Sequence, residues 1–192
     1  NKAMEVITDK SLFADVEKKE ITNINLENAK DVLKRGLKFF VGEDAQWVQE
    51  YDDVADWLTD NKHKGLLCYG KCGRGKSLIC EKIMPNIFRY YLRKNLIKFD
   101  GYEINDKRQL LRECDCAILI DDFGVEDVGK IYGETHNVFE EVISLAEKRQ
   151  QLLLLTTNLT LDEICEKYGE RTLDRLRYLT RPVLFTGESF RK

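Results

Sequence analysis

"LLCYGKCGRGKSLIC", Leu66 to Cys80, decides how the rest of the chain is read. An apolar run enters, three glycines and two lysines turn it, and a second apolar run leaves. Inside it, Gly70, Gly75, Lys76 and Ser77 stand at the G-x-x-x-x-G-K-S spacing of a phosphate-binding P-loop. The spacing has a physical basis. Glycines let the backbone curl until successive N–H groups face one anion. The start of the following helix adds the positive end of its dipole. Lys76 brings a charge that can reach β- and γ-phosphates, and Ser77 a hydroxyl for Mg²⁺. The expected nucleotide contacts are Gly70, Lys71, Cys72, Gly73, Arg74, Gly75, Lys76, Ser77 and Leu78.

On either side the chain alternates between two periods. Upstream, Asn25 is expected to cap a helix over 26–40, "LENAKDVLKRGLKFF". A second helix over 44–58 places Trp47, Val48, Tyr51, Val54, Ala55 and Leu58 on one face. Downstream come strands at 65–69, 96–100, 116–121, 151–157 and 182–187. Between them lie helices at 76–95, 106–114, 134–150, 160–169 and 170–179, the first kinked near Pro85. Thr160 and Glu163 make a capping box. Most strands are apolar on both faces, so the sheet is expected to be parallel and covered on both sides. The fold class is therefore α/β: a three-layer sandwich with a mostly parallel five-stranded sheet, functional at the strands' C-terminal ends. Residues 1–24 read as a polar lead-in, with 1–3 as an addition ahead of Met4, and 25–192 as one domain.

Composition narrows the classes. The net charge of −3 excludes wholesale nucleic-acid coating. It hides an asymmetry: residues 1–60 carry 8 Lys/Arg against 14 Asp/Glu, and residues 171–192 carry 6 against 2. No long uncharged apolar run exists to cross a membrane. Six cysteines lack metal-site spacing, and most fall in apolar surroundings. A reducing, cytoplasmic location is the expectation.

Two further strand ends complete the constellation. "CAILIDD" ends in Asp121 and Asp122. The first carboxylate can orient Mg²⁺ through its water shell, and the second can take a proton from an attacking water. "QLLLLTTN" ends in Asn158, whose amide would stand near a γ-phosphate and could position that water.

These residues resemble the AAA+ ATPases, and within them the bacterial helicase-loader and transposition-helper group (the DnaC/IstB type). The likeness covers roughly residues 25–192. It rests on "GKCGRGKS", on "AILIDDFG", and most specifically on "LLLLTTNLTLDEICEKYGERTLDRL" and "GESFR". The resemblance implies a P-loop NTPase core without a helical lid domain, binding ATP and Mg²⁺. It implies that Ser77 and Asp121 form the metal site and that Asp122 is the catalytic carboxylate, where many relatives carry Glu. Asn158 matches the sensor-1 position, and Arg175 the arginine finger, with Arg171 and Arg177 as neighbouring candidates. Arg191 matches a sensor-2-like arginine. Lys76 and these two arginines would take up transition-state charge. The implied partners are a replicative helicase and DNA, single-stranded favoured, and further copies of the chain assembled by ATP with Arg175 acting in trans. Loaders of this group usually carry an N-terminal helicase-gripping domain, and about two dozen residues precede the core in this sequence. A transposition helper is the close alternative. A P-loop kinase and a nucleotide-binding scaffold with negligible turnover stay open. The scaffold reading draws on Asp122 being one methylene shorter than Glu.

Overall fold

A computed structural model describes residues 20–126, 129–131 and 134–190, with backbone alone for 129–131 and 134–136. The elements are α1 (Ala29–Val41), α2 (Gln49–Thr59), β1 (Gly65–Gly70), a long helix α3 in three pieces (Leu78–Ile83, Met84–Ile87, Phe88–Leu92), β2 (Leu96–Asp100), α4 (Arg108–Glu113) and β3 (Ala117–Asp121). They continue with β4 (Gly129–Ile131), β5 (Glu134–His136), α5 (Val138–Arg149), β6 (Leu153–Thr157), α6 (Leu161–Tyr168), α7 (Glu170–Leu179) and β7 (Thr180–Phe185). Five strands form one sheet in the order β2-β3-β6-β1-β7. All four pairings are parallel, as in Leu66 opposite Leu154 and Asp100 opposite Asp121. The expected sheet is present, and it is wholly parallel.

Topology distributes the helices. The β1-to-β2 crossover runs one way along the sheet and the β3-to-β6 crossover the other. Right-handed crossovers then put α3 and α5 on opposite faces. The packing agrees: α3 touches α1, while α5 touches α4 and α7. The apolar runs of β1, β3 and β6 are buried on both sides, with Leu66, Leu119, Ile120, Leu154 and Leu155 at 0% exposure. Phe123 and Phe139 stack with centroids 4.3 Å apart under the C-terminal ends of β3 and β6.

Several boundaries differ from the sequence reading, each for a tertiary reason. Helix α1 begins after Asn28, not Asn25. The preceding segment is held extended by Asn61, whose Oδ1 accepts from Ile24 N (2.8 Å) and whose Nδ2 donates to Thr22 O (2.9 Å). Ile21 and Ile24 are buried there, so the core is joined earlier than the polar run 1–24 suggests. Helix α2 starts at Gln49, leaving Trp47 and Val48 outside it. Trp47 instead packs edge-on against Tyr51. Helix α3 departs from α geometry on both sides of Pro85, with two wide π-type stretches around the α turn Met84–Ile87. Proline lacks the N–H that a continuous α ladder would use there. Residues 134–136, read as the start of a helix, pair antiparallel with 129–131, and α5 begins only after Asn137 caps Phe139 N (3.0 Å). Strand β7 starts at Thr180 and keeps Pro182 because it is an edge strand, where an absent N–H costs no ladder bond on the open side.

Candidate nucleotide-binding site

The strand order brings the three motif-bearing tips side by side. β6 lies between β1 and β3, so Gly70, Asn158 and Asp121–Asp122 end on adjacent strands. Above them is a cavity of about 780 Å³ lined by Cys72, Gly73, Gly75, Lys76, Ser77, Leu78, Asp122 and Asn158. Its other wall is Leu37 and Val41 of α1, the 44–46 connection, Tyr51 of α2 and Phe190.

The loop itself is held in place. Gly73 and Gly75 have φ of +80° and +91°. A Cβ at Gly75 would come 2.3 Å from Tyr51 Oη, and one at Gly73 would come 2.0 Å from Ser189 Oγ. Between them Arg74 is turned away from the cavity. Its guanidinium meets Glu50 of α2 at 3.2 Å, donates to Glu188 O at 3.3 Å, and lies 4.5 Å from the Phe190 ring centroid. Phe190 N also donates to Gly73 O at 2.9 Å. Burial works against the Glu50 charge. Backbone N–H groups of Glu50 and Thr186 and the Arg74 guanidinium outweigh it, and hold the carboxyl below the usual range.

Lys76 is 4% exposed. Its ammonium donates to Gly70 O (2.8 Å), Lys71 O (2.8 Å) and Asn158 Oδ1 (2.9 Å). Burial pulls its pKa below the ordinary lysine value, opposed by the charge of Asp122. The Asn158 amide reaches on to Asp122 Oδ1 at 3.4 Å. Lys76, Asn158 and Asp122 therefore form one chain across the cavity floor. Asp122 has a φ of +52°, the left-handed region, which carries its side chain toward the cavity instead of along the strand.

Asp121 points the other way along the same turn. It is 7% exposed and accepts from Thr156 Oγ1 at 2.6 Å, while Thr156 Oγ1 accepts from Asp122 N at 2.8 Å. The Thr156 and Ser77 hydroxyls favour its charged form. Burial, with help from the Asp122 charge, raises the Asp121 pKa above the usual carboxylate value. Ser77 and Asp121 together are an all-oxygen pair beside the phosphate loop, the donor set that suits Mg²⁺.

The arginines divide. Arg175 of α7 is absent from the cavity lining; its Nε pairs with Glu147 of α5 at 2.9 Å. With Arg171 and Arg108 it lines a separate hollow of about 450 Å³ between α5 and α7. Arg177 is exposed further along the helix. Arg191 lies outside the described residues. Sequence reasoning passed over Thr156, Glu50 and the α1 wall. The doubled threonine before Asn158 was the only local signal for the first. Nothing in spacing links Glu50 to Arg74, 24 residues on.

No family model and no curated protein matches the chain. Solved structures do. DnaI matches at 17% identity with a TM-score of 0.53, over 91% of each chain. The DnaC helicase loader matches at 14% identity and TM-score 0.52, over 84% of this chain and 93% of that one. AMPPCP-bound DnaA from Aquifex aeolicus matches at 17% identity and TM-score 0.52, over 72% of this chain and 46% of that one. At these identities the likeness carries the fold alone, a wholly parallel five-stranded sheet with helices on both faces.

Proposed function

We propose that the chain is an ATP-binding and ATP-hydrolysing AAA+ switch that serves DNA replication as a loader of the replicative helicase. One observation carries the nucleotide part of this reading. Lys76, Asn158 and Asp122, from three different segments, touch in series at the floor of a cavity rimmed by the phosphate loop. The loader part draws support from the fold shared with DnaI and the DnaC helicase loader. Helicase and single-stranded DNA are its proposed partners.

In this mechanism the loop N–H groups and Lys76 hold the phosphate chain, Lys76 exchanging one present acceptor for a phosphate oxygen. Asn158 orients the attacking water, and Asp122 accepts its proton. Ser77 and Asp121 would hold Mg²⁺, which would supply positive charge against the phosphate oxygens. Arg175 of a neighbouring copy stabilises charge on the γ-phosphate after leaving Glu147, and Arg191 adds positive charge from the tail. Hydrolysis would then depend on assembly.

The test separates binding from chemistry. Lys76→Ala should abolish ATP binding in calorimetry. Asp122→Asn should bind ATP yet hydrolyse it about 100-fold more slowly or worse. Unchanged ATP affinity in the lysine variant would refute the site.

A further inference from the structure

The far end of α3 carries a feature that the nucleotide site does not use. Residues 88–94 read Phe-Arg-Tyr-Tyr-Leu-Arg-Lys, three cations and two tyrosines with no acid among them. Phe88 and Ile87 are 0% and 2% exposed and fix the helix end to the core. Arg89, Tyr90, Tyr91, Arg93 and Lys94 are all exposed beyond them, the rings at 58% and 46%. The wide π-type turn over Phe88–Leu92 and the left-handed Arg93 (φ +55°) end the helix there. The Arg89 guanidinium lies 5.4 Å from the Tyr90 ring centroid.

Cations at a helix C-terminus are favoured by its dipole, which would account for the charges alone. It does not account for two adjacent rings turned to solvent. Nor are these cations consumed by acidic partners. Among the described residues Arg89, Arg93 and Lys94 form no ion pair, whereas nearby Lys82 and Lys98 are tied to Glu81 and Asp100. Lys94 also borders a small cleft with Glu20 and Asp115, so most of the available charge is that of the two arginines.

We propose that this helix end is a binding surface for single-stranded nucleic acid, with Tyr90 and Tyr91 stacking on unpaired bases and Arg89, Arg93 and Lys94 meeting the intervening phosphates. Exposed aromatic faces interleaved with cations match a strand whose bases are unstacked and whose backbone is anionic. An acidic peptide would answer the charges and leave the rings unused. A duplex would do the same, because its bases are already stacked. The inference deepens the proposed switch by placing its nucleic-acid contact, and rests on that reading for its biological setting. Helix α3 begins beside Lys76 and Ser77, so one continuous helical run joins the patch to the phosphate loop.

Fluorescence anisotropy tests it, using labelled oligo-dT and oligo-rU of about 20 nucleotides and a duplex of equal length, each with and without ATP. Binding of a fluorescent ATP analogue is measured on the same samples. Tyr90→Ala/Tyr91→Ala should weaken single-strand binding at least about tenfold, and Tyr90→Phe/Tyr91→Phe should retain it. Arg89→Gln/Arg93→Gln/Lys94→Gln should weaken it and flatten the salt dependence by about two log units per log unit. Neither set should change nucleotide affinity. Tyrosine-dependent binding of either strand supports the proposal, and the tighter strand says whether DNA or RNA is taken. The proposal is overturned if wild type binds neither strand while still binding nucleotide. Tyrosine-independent binding, or duplex binding of equal strength, overturns it too. Failure of wild type to bind the nucleotide analogue would instead sink the proposed switch, leaving a tyrosine-dependent strand contact standing.

Discussion

Asp121 stands in a conflict that can be measured. Its carboxylate is buried beside a second acid, and burial raises its pKa. A raised folded pKa contributes stability below the unfolded value, and that stability is lost as pH rises through the folded one. At neutral pH the ionised Asp121 is therefore a cost to the ligand-free fold. Asp121→Asn keeps an acceptor for Thr156 and removes the buried charge. We expect it to raise the melting temperature by about 2–4 °C at neutral pH, the effect of ~1 kcal/mol in a domain of this size. The gain should shrink as pH falls toward the ordinary carboxylate range, because the folded wild type takes up its proton above that range. Mg²⁺-dependent tightening of nucleotide binding should disappear in the same variant. Thermal scans across pH and binding with and without the metal check both. Stability bought at the expense of metal binding is what a functional acid predicts; a purely structural Asp121 would lose stability on the change. The residue types at the site were legible because their chemistry is specific: Lys76, Asp121, Asp122 and Asn158 each end a strand or open a helix. Thr156 and Glu50 were not, because their roles arise from contacts across the fold, at 2.6 Å to Asp121 and 3.2 Å to Arg74.

Elements carry their own lesson in where they start and stop. The capping box of α6 is present in full: Thr160 Oγ1 accepts from Glu163 N at 3.2 Å, and Glu163 Oε2 accepts from Thr160 N at 2.7 Å. Thr160→Ala should cost about 1 kcal/mol, read as a fall in urea midpoint at constant slope. Nucleotide affinity should change less than the stability does, since Asn158 is anchored through β6. This cap was readable because it is a local code of four residues. The start of α1 was not, because Asn61 competes for the backbone of residues 22–24 from 37 positions away in the sequence. The β4–β5 pairing was missed for a related reason. Residues 129–136 carry no strict alternation, and their pairing is short and two-stranded. The wide turns of α3 were half visible: Pro85 marked the site of disturbance but not the π-type geometry on either side of it.

For the whole molecule, the strand order does most of the work. Placing β6 between β1 and β3 turns three separate sequence motifs into one site; the alternation of strands and helices predicted the parallel sheet but not this strand order. The proposed assembly was less legible, since it would involve surfaces that one chain leaves unpaired. Arg175 lies outside the nucleotide cavity and is bound to Glu147, and its proposed action on another copy can be tested directly. Arg175→Ala should therefore bind ATP as wild type does and lose the rise of specific activity with protein concentration. Turnover measured across a dilution series checks this, and an unchanged slope would move the role to Arg171 or Arg177. The last described residues give the molecule one more property. Phe190 lies against both Arg74 and the cavity, its N–H bonded to Gly73. An indole in its place, Phe190→Trp, should act as an optical reporter whose emission shifts when ATP occupies the loop, seen as a difference above Trp47 and Trp57. The tail would then let the arrival and departure of nucleotide be timed by stopped flow, with no label attached.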